Sequence, residues 1–257
     1  MSHRSCRFPR ASKTALGLGL VLTALLPGAC GHARGSGTQV TQPRAVVPFD
    51  RIAVSGTMDL RLEVGGVPKV EVIGEDNIVS AVETTVQNGT LRVRVPKGVV
   101  QAERITVVVV TPDLRQIRAA VTESIHIDLQ GAPLDDLDVG LSGVGKLALG
   151  GLVADRITAS LSGTGKMNLT GTADRLDFVL SGMGKGDFEH LCVQSARVRV
   201  NGMGQVTVNA AKTLQATVWG VGRVEYYGTP DLSPVLRGGG SIRSLDGSEN
   251  TCLPAGA

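Results

Sequence analysis

Three apolar columns recur along the second half of the chain, separated mostly by polar or small residues. Counted back from Gly143, Gly163, Gly182, Gly202, Gly220 and Gly238, they stand six, four and two positions earlier. The first column reads Leu137, Ile157, Leu176, Ala196, Leu214, Leu232, and the second Val139, Ala159, Phe178, Val198, Ala216, Pro234. The third reads Leu141, Leu161, Leu180, Val200, Val218, Leu236. Glu123, 20 residues before Gly143, marks an equivalent point in an earlier unit, preceded by Ile117, Ala119 and Val121. The glycines are spaced 20, 19, 20, 18 and 18 residues apart. Alternation of period two within a period near 20 is the pattern of a strand whose inner face feeds a core while the next copy stacks on it. It predicts an all-β parallel β-helix of about seven coils with a period of 18–21. The LxxLxLxxN pattern of a leucine-rich repeat is missing, and a propeller blade needs about twice this length.

The pattern upstream is also β. "FDRIAVSGTMDLRLEVGG" and "PKVEVIG" alternate, and Asn88-Gly89 marks a hairpin step from "AVETTVQ" into "TLRVRV". "RITVVVV" reads as a strand buried on both faces, and the one helical turn falls around Glu75–Ser80. This β-rich N-terminal region caps one end of the stack, and the tail from Ser244 covers the other, which favours a monomer. Residues 30–47, polar and Gly-rich, read as a flexible tether, 48–245 as the domain and 246–257 as a C-terminal tail.

The corners read "SGVGK" at Ser142–Lys146, "SGTGK" at Ser162–Lys166 and "SGMGK" at Ser181–Lys185, with looser copies "NGMGQ" and "WGVGR". A phosphate loop would need GxxxxGK followed by Ser or Thr, and these lysines are followed by Leu147, Met167 and Gly186. A corner that recurs on every coil turns the chain each time, so its glycines supply unusual backbone angles or close approach between coils. The residues after the corners, Lys146, Lys166, Lys185, Gln205 and Arg223, then form a basic stripe. Two readings follow: a solvated edge, or a binding stripe for an anionic envelope polymer.

Charge and the N-terminus change the picture. The formal net charge is +3, but residues 1–29 hold Arg4, Arg7, Arg10 and Lys13 and no acid. Without them, 22 basic side chains face 23 acidic ones, which argues against a nucleic-acid binder. The basic start, the apolar "TALGLGLVLTALL" and "PGAC" ending at Cys30 read as a signal peptide over 1–29, too short to span a bilayer comfortably. The segment resembles a bacterial lipobox, with Pro27 where Leu, Val or Ile is usual. That resemblance implies cleavage before Cys30 and a lipid on its thiol, hence a membrane anchor. Ordinary secretion with cleavage near Ala33 is the alternative. Gly31, in place of an aspartate, then suggests the periplasmic face of the outer membrane. Cys192 and Cys252 remain, either as a disulfide or as two free thiols.

Catalytic chemistry finds little support. Asp135, Asp136 and Asp138 cluster in a turn, and Asp187 and Glu189 lie close in sequence. Trp219, Tyr226 and Tyr227 are nearly all the aromatic residues available for a sugar platform. His126 and His190 stand alone, no GxSxG elbow occurs, and no Cys/His spacing points to a metal or cofactor. The region from Phe49 to about Leu245 resembles the head-GIN domain family of autotransporter-adhesin heads, whose function is unknown. The match is carried by "FDRIAVSGTMDLRLEVG", "VEVIGEDNIVSAVETTVQNGTLRV", "ITVVVVTPDLRQIRAAVTESIHI" and the SGxGK repeat. The resemblance implies a right-handed β-helix on an exported or lipid-anchored chain and supplies no catalytic residues. The expectation is a non-enzymatic protein that binds or scaffolds an envelope component, with an anionic polysaccharide or a protein as partner. The alternatives are a carbohydrate-active enzyme on the same fold, or an envelope-stress accessory acting through another protein.

Overall fold

The computed structural model describes residues 33–96, 99–100, 105–121 and 124–245. The expected signal peptide over 1–29, Cys30, Glu123, Cys252 and the tail 246–257 lie outside the described residues. The N-terminal region holds β1 (Ala33–Arg34), β2 (Gln39–Arg44), β3 (Arg51–Ser55), β4 (Met58–Val64), β5 (Lys69–Glu75) and a single turn α1 (Asp76–Val79). It continues with β6 (Glu83–Gln87), β7 (Thr90–Arg94), β8 (Val99–Val100) and β9 (Thr106–Thr111). The repeat follows as β10 (Gln116–Val121), β11 (Ser124–Asp128), β12 (Pro133–Gly143), β13 (Lys146–Gly163) and β14 (Lys166–Gly182). It ends with β15 (Lys185–Gly202), β16 (Gln205–Gly220), β17 (Arg223–Tyr227), β18 (Asp231–Arg237) and β19 (Ser241–Ser244).

One coil shows how the pattern becomes structure. In β13, Leu147, Leu149, Leu152, Ala154, Ile157, Ala159 and Leu161 are buried, with Gly150-Gly151 and Asp155-Arg156 breaking the alternation at two bends. Each coil pairs in parallel with the next along nearly its whole length, forming a β-solenoid of about six turns, slightly fewer than the seven expected. From Leu137 onward the three apolar columns align residue on residue, as in Val139, Ala159, Phe178, Val198, Ala216 and Pro234.

The earliest coil departs from that alignment. Ile117 lies opposite Val139, Ala119 opposite Leu141 and Val121 opposite Gly143, a step of 22 residues in place of 20. The cause is a left-handed turn at Gln130 (φ 54°) and Gly131 (φ 76°). Four residues separate Asp128 from Pro133, where their partners Gly150 and Val153 are separated by two. Later coils absorb their length differences on the same side, at register shifts after Leu149, Asn168 and Phe188. The corner and the lysine positions therefore stay aligned while the opposite bends vary.

The N-terminal strands join the same stack out of chain order. The β3–β4 coil lies between the later β7–β9 coil and β10–β11, with parallel pairing on both sides. Antiparallel strands close that end: β6 on β7 through the Asn88-Gly89 hairpin, β5 on β9, and β2 on β5. Strand β2 lies within the segment expected to be a tether. Its edge position and mostly exposed side chains leave no core periodicity to read. Just before it, Ser36 N–H donates to Asn77 Oδ1 and Gly37 N–H to Glu75 Oε1, fixing the incoming chain beside α1. The strand "TVVVVT" is buried on alternate residues only, since Val108 and Val110 face outward and are half-covered.

The core is aliphatic with one local exchange of volume. Gly186 occupies the inward column held elsewhere by Leu147, Met167 and Val206. Phe178 and Phe188 fill the space it leaves, in an edge-to-face pair with centroids 4.6 Å apart.

Candidate functional site

The repeated corner builds a ridge along one edge of the solenoid. Its two glycines have different roles. The first of each pair has positive φ, from 105° at Gly143 to 138° at Gly202, a region that L side chains rarely adopt. The second turns without positive φ but lies against the coil below: a Cβ on Gly165 would come 2.7 Å from the Gly145 carbonyl oxygen. Backbone hydrogen bonds lock the corners together. Met183 N–H donates to Gly163 O at 3.0 Å and Lys185 N–H to Gly165 O at 2.9 Å, and the same pair recurs from Thr164 to Arg223.

Because these bonds use only backbone, side chains at each corner position fall into straight rows about 4.8 Å per step. Lys146, Lys166, Lys185, Gln205 and Arg223 stack in register, flanked by Ser124 and Ser241. Two residues further on, the next outward row carries the counter-charges. Asp187 receives Lys166 at 2.9 Å and Lys185 at 3.5 Å. Burial alone would raise the Asp187 carboxyl, but the hydrogen bond and charge of Lys166, then of Lys185, outweigh it and hold the group below its usual range. Glu225 takes Arg223 at 3.7 Å and Arg243 at 3.8 Å, and accepts a hydrogen bond from Gln205 at 2.6 Å. Lys146 has no ion pair among the described residues. The sequence already carried this signal, with Asp187 two places after Lys185 and Glu225 two after Arg223.

Parallel to the cationic row runs the tip of each corner: Val144, Thr164, Met183, Met203 and Val221. The four apolar members are 52–67% exposed. Shallow grooves of about 520–530 Å³ lie between the two rows.

A second concavity, of about 590 Å³, lies on the outer face that leads into the corners. Its floor is small, with Ala53, Ala120, Gly140 and Ser160, and its walls include Arg92, Arg94 and Arg118. Arg118 is bound to Asp138 in a two-pronged pair and Arg94 lies 3.7 Å from Glu83, so most of the charge there is internally matched. Of the acidic residues considered as catalysts, Asp135, Asp136 and Asp138 line one groove of about 410 Å³ with Asp113, Arg115 and Arg156, and Asp187 lies apart at the ridge. Asp138 faces Arg118, Asp136 lies 3.9 Å from Arg156, and Asp187 pairs with the lysine row. His126 stacks between Asp59 and Ala148 on the outer surface. Among the described residues no three His, Cys, Asp or Glu converge in a metal-binding group. Cys192 is disulfide-bonded, and its expected partner Cys252 lies outside the described residues.

The family described as "Putative auto-transporter adhesin, head GIN domain" matches residues 48–230. The chain belongs to this family. The structure is similar to that of a putative adhesin from Bacteroides fragilis, with a TM-score of 0.74 and 25% identity over 82% of this chain and 99% of the other. A putative lipid binding protein from Parabacteroides distasonis has a TM-score of 0.64 at 21% identity, covering 83% of this chain and 99% of its own. A putative adhesin from Parabacteroides merdae has a TM-score of 0.60 at 19% identity, over 84% of this chain and 100% of its own. These last two share the fold. No curated protein matches the chain significantly. In the head-GIN chain described here the solenoid continues past the matched region, through β18 and β19 to Ser244.

Proposed function

We propose that this head-GIN protein is an exported, non-enzymatic binding module, tethered to the envelope by a lipid on Cys30. Its contact surface is the corner ridge, and its partner is an anionic component of the envelope. The observation that carries the reading is the imbalance of charge in aligned rows. Among the described residues, Lys146, Lys166, Lys185, Arg223 and Arg243 share their two rows with Asp59, Asp187 and Glu225, a surplus of two positive charges along one edge. Family membership and similarity to an adhesin-titled structure support a binding role. The ion pairs held by Asp136, Asp138 and Asp187 support a non-catalytic one. Gly31 after Cys30 in the lipobox-like segment supports placement on the periplasmic face of the outer membrane, and the capped N-terminal end supports a monomer.

The test uses the compact unit His32–Ala257, which holds every described strand. Its binding to anionic envelope polymers and lipids is compared with that of a variant carrying Lys146→Gln, Lys166→Gln, Lys185→Gln and Arg223→Gln. Gln205 already occupies this row, so the corner accommodates glutamine. Binding that weakens with salt and disappears in the variant supports the reading. Equal binding by both proteins, or turnover of an envelope glycan, would contradict it.

A further inference from the structure

The tip row is at odds with its position. The tip of a corner projects furthest into solvent, yet four of the five tips are Val or Met and more than half exposed. Single exposed apolar residues are ordinary on any protein surface. Five consecutive tips in register are different, since they form one continuous strip roughly 20 Å long. Nothing among the described residues covers it.

Trp219 extends the same strip. It is the one tryptophan in the chain and is 53% exposed. Its row otherwise carries Ala120, Ser142, Ser162, Ser181, Asn201 and Arg237, so the indole stands between an asparagine and an arginine in a mostly polar ladder. It stands across the corner glycine Gly220 from Val221, beside the apolar tips. Indole favours the boundary between water and hydrocarbon, where its ring is buried and its N–H stays wet.

The shape narrows the choice of partner. The apolar line is one residue wide, too narrow to form the apolar centre of a stable protein interface of roughly 800 Å² per partner. Among the five tips Thr164 alone carries the hydroxyl or amide that a polysaccharide contact uses, the hydroxyls of Ser142, Ser162 and Ser181 belonging to the neighbouring row. A fluid surface can close around a narrow ridge. An apolar line flanked by cations matches the layering of an anionic bilayer, with acyl chains beside phosphates. The apolar stems of the lysines can lie against the hydrocarbon boundary while their ammonium groups stay at the phosphate level.

We infer that the corner ridge is a membrane-surface contact. Val144, Met183, Met203 and Val221, with Trp219, enter the interfacial layer of an anionic bilayer, while Lys146, Lys166, Lys185 and Arg223 engage lipid phosphates. The inference rests on the reading of the ridge as the contact surface and names its partner. The chain enters the stack beside α1, so a lipid on Cys30 holds the capped end. Ridge contact then lays the solenoid along the membrane, and the two attachments reinforce each other.

The test is flotation of His32–Ala257 with vesicles of phosphatidylglycerol and phosphatidylcholine, against phosphatidylcholine alone and against a soluble anionic polysaccharide. Trp219 emission is followed throughout. A variant carrying Met183→Ser, Met203→Ser and Val221→Ser removes the apolar tips and keeps the charges. Thr164 already places a hydroxyl at this position, and circular dichroism with thermal melting verifies the fold. The expected result is flotation with anionic vesicles only, a blue shift of Trp219, and an affinity loss of about tenfold or more in the serine variant. Vesicle binding unchanged by the serine substitutions, without a shift in Trp219, would overturn the inference. So would binding to the polysaccharide but not to vesicles, which leaves the charged-ridge reading intact. Binding to neither overturns both.

Discussion

Gly163 lies on Gly143 with no room for a side chain: a Cβ on Gly163 would come 2.5 Å from the Gly143 carbonyl oxygen. Its φ of +111° compounds the constraint. Gly163→Ala therefore meets strain and a backbone clash together, and is expected to cost about 2–4 kcal/mol. Gly37 has a φ of +78° and open space around its Cβ position, so Gly37→Ala should cost only about 1 kcal/mol. Denaturant unfolding of both variants separates the close-approach contribution from the backbone one.

The Phe178, Phe188 and Gly186 cluster predicts a volume exchange. Phe178→Ala opens a cavity and should cost about 3–5 kcal/mol. Gly186→Ala overpacks, since its Cβ would sit 2.8 Å from Phe178 Cε1, and should cost about 1–3 kcal/mol. Combining Phe178→Ala with Gly186→Leu refills the column that Leu147 and Met167 fill in their coils. The double variant should be more stable than Phe178→Ala alone, a coupling that a double-mutant cycle measures.

Asp187 sets a pH dependence. Its carboxyl lies below its usual value in the fold, so it contributes stability above the unfolded value of about 3.9, and that contribution is lost as pH falls through the folded value. Asp187→Asn should cost about 1 kcal/mol near neutrality, because the lysines it holds are half-exposed and then repel each other. The difference from the parent should vanish at low pH. Melting temperatures of both proteins between pH 2 and 7 give the answer.

Much of the solenoid was legible because inward positions repeat. Leu137, Ile157 and Leu176 occupy one column whether counted along the sequence or traced through the structure, and the Asn88-Gly89 hairpin and the α1 turn carry local signals. The order of the first coils was not legible. The insertion of β3–β4 between two later coils depends on non-local register, which no short window encodes. The two-residue shift at Ile117 was hidden because Gln130-Gly131 stores the extra length away from the counted columns. Strand β2 was missed because an edge strand exposed along most of its length has no inner face to mark. In the ridge, the lysine row was readable from SGxGK. The apolar tips were visible only as a variable letter until the corner geometry turned them outward.

The central claim is that the surplus of charge on the corner ridge makes the contact. Its most direct measurement is the salt dependence of Kd for anionic vesicles, for His32–Ala257 and for the four-residue glutamine variant. Because exposed charges are screened over about 10 Å at moderate ionic strength, the account predicts affinity that falls steeply with salt and a much flatter dependence in the variant. A salt dependence of equal steepness in the two proteins would contradict it.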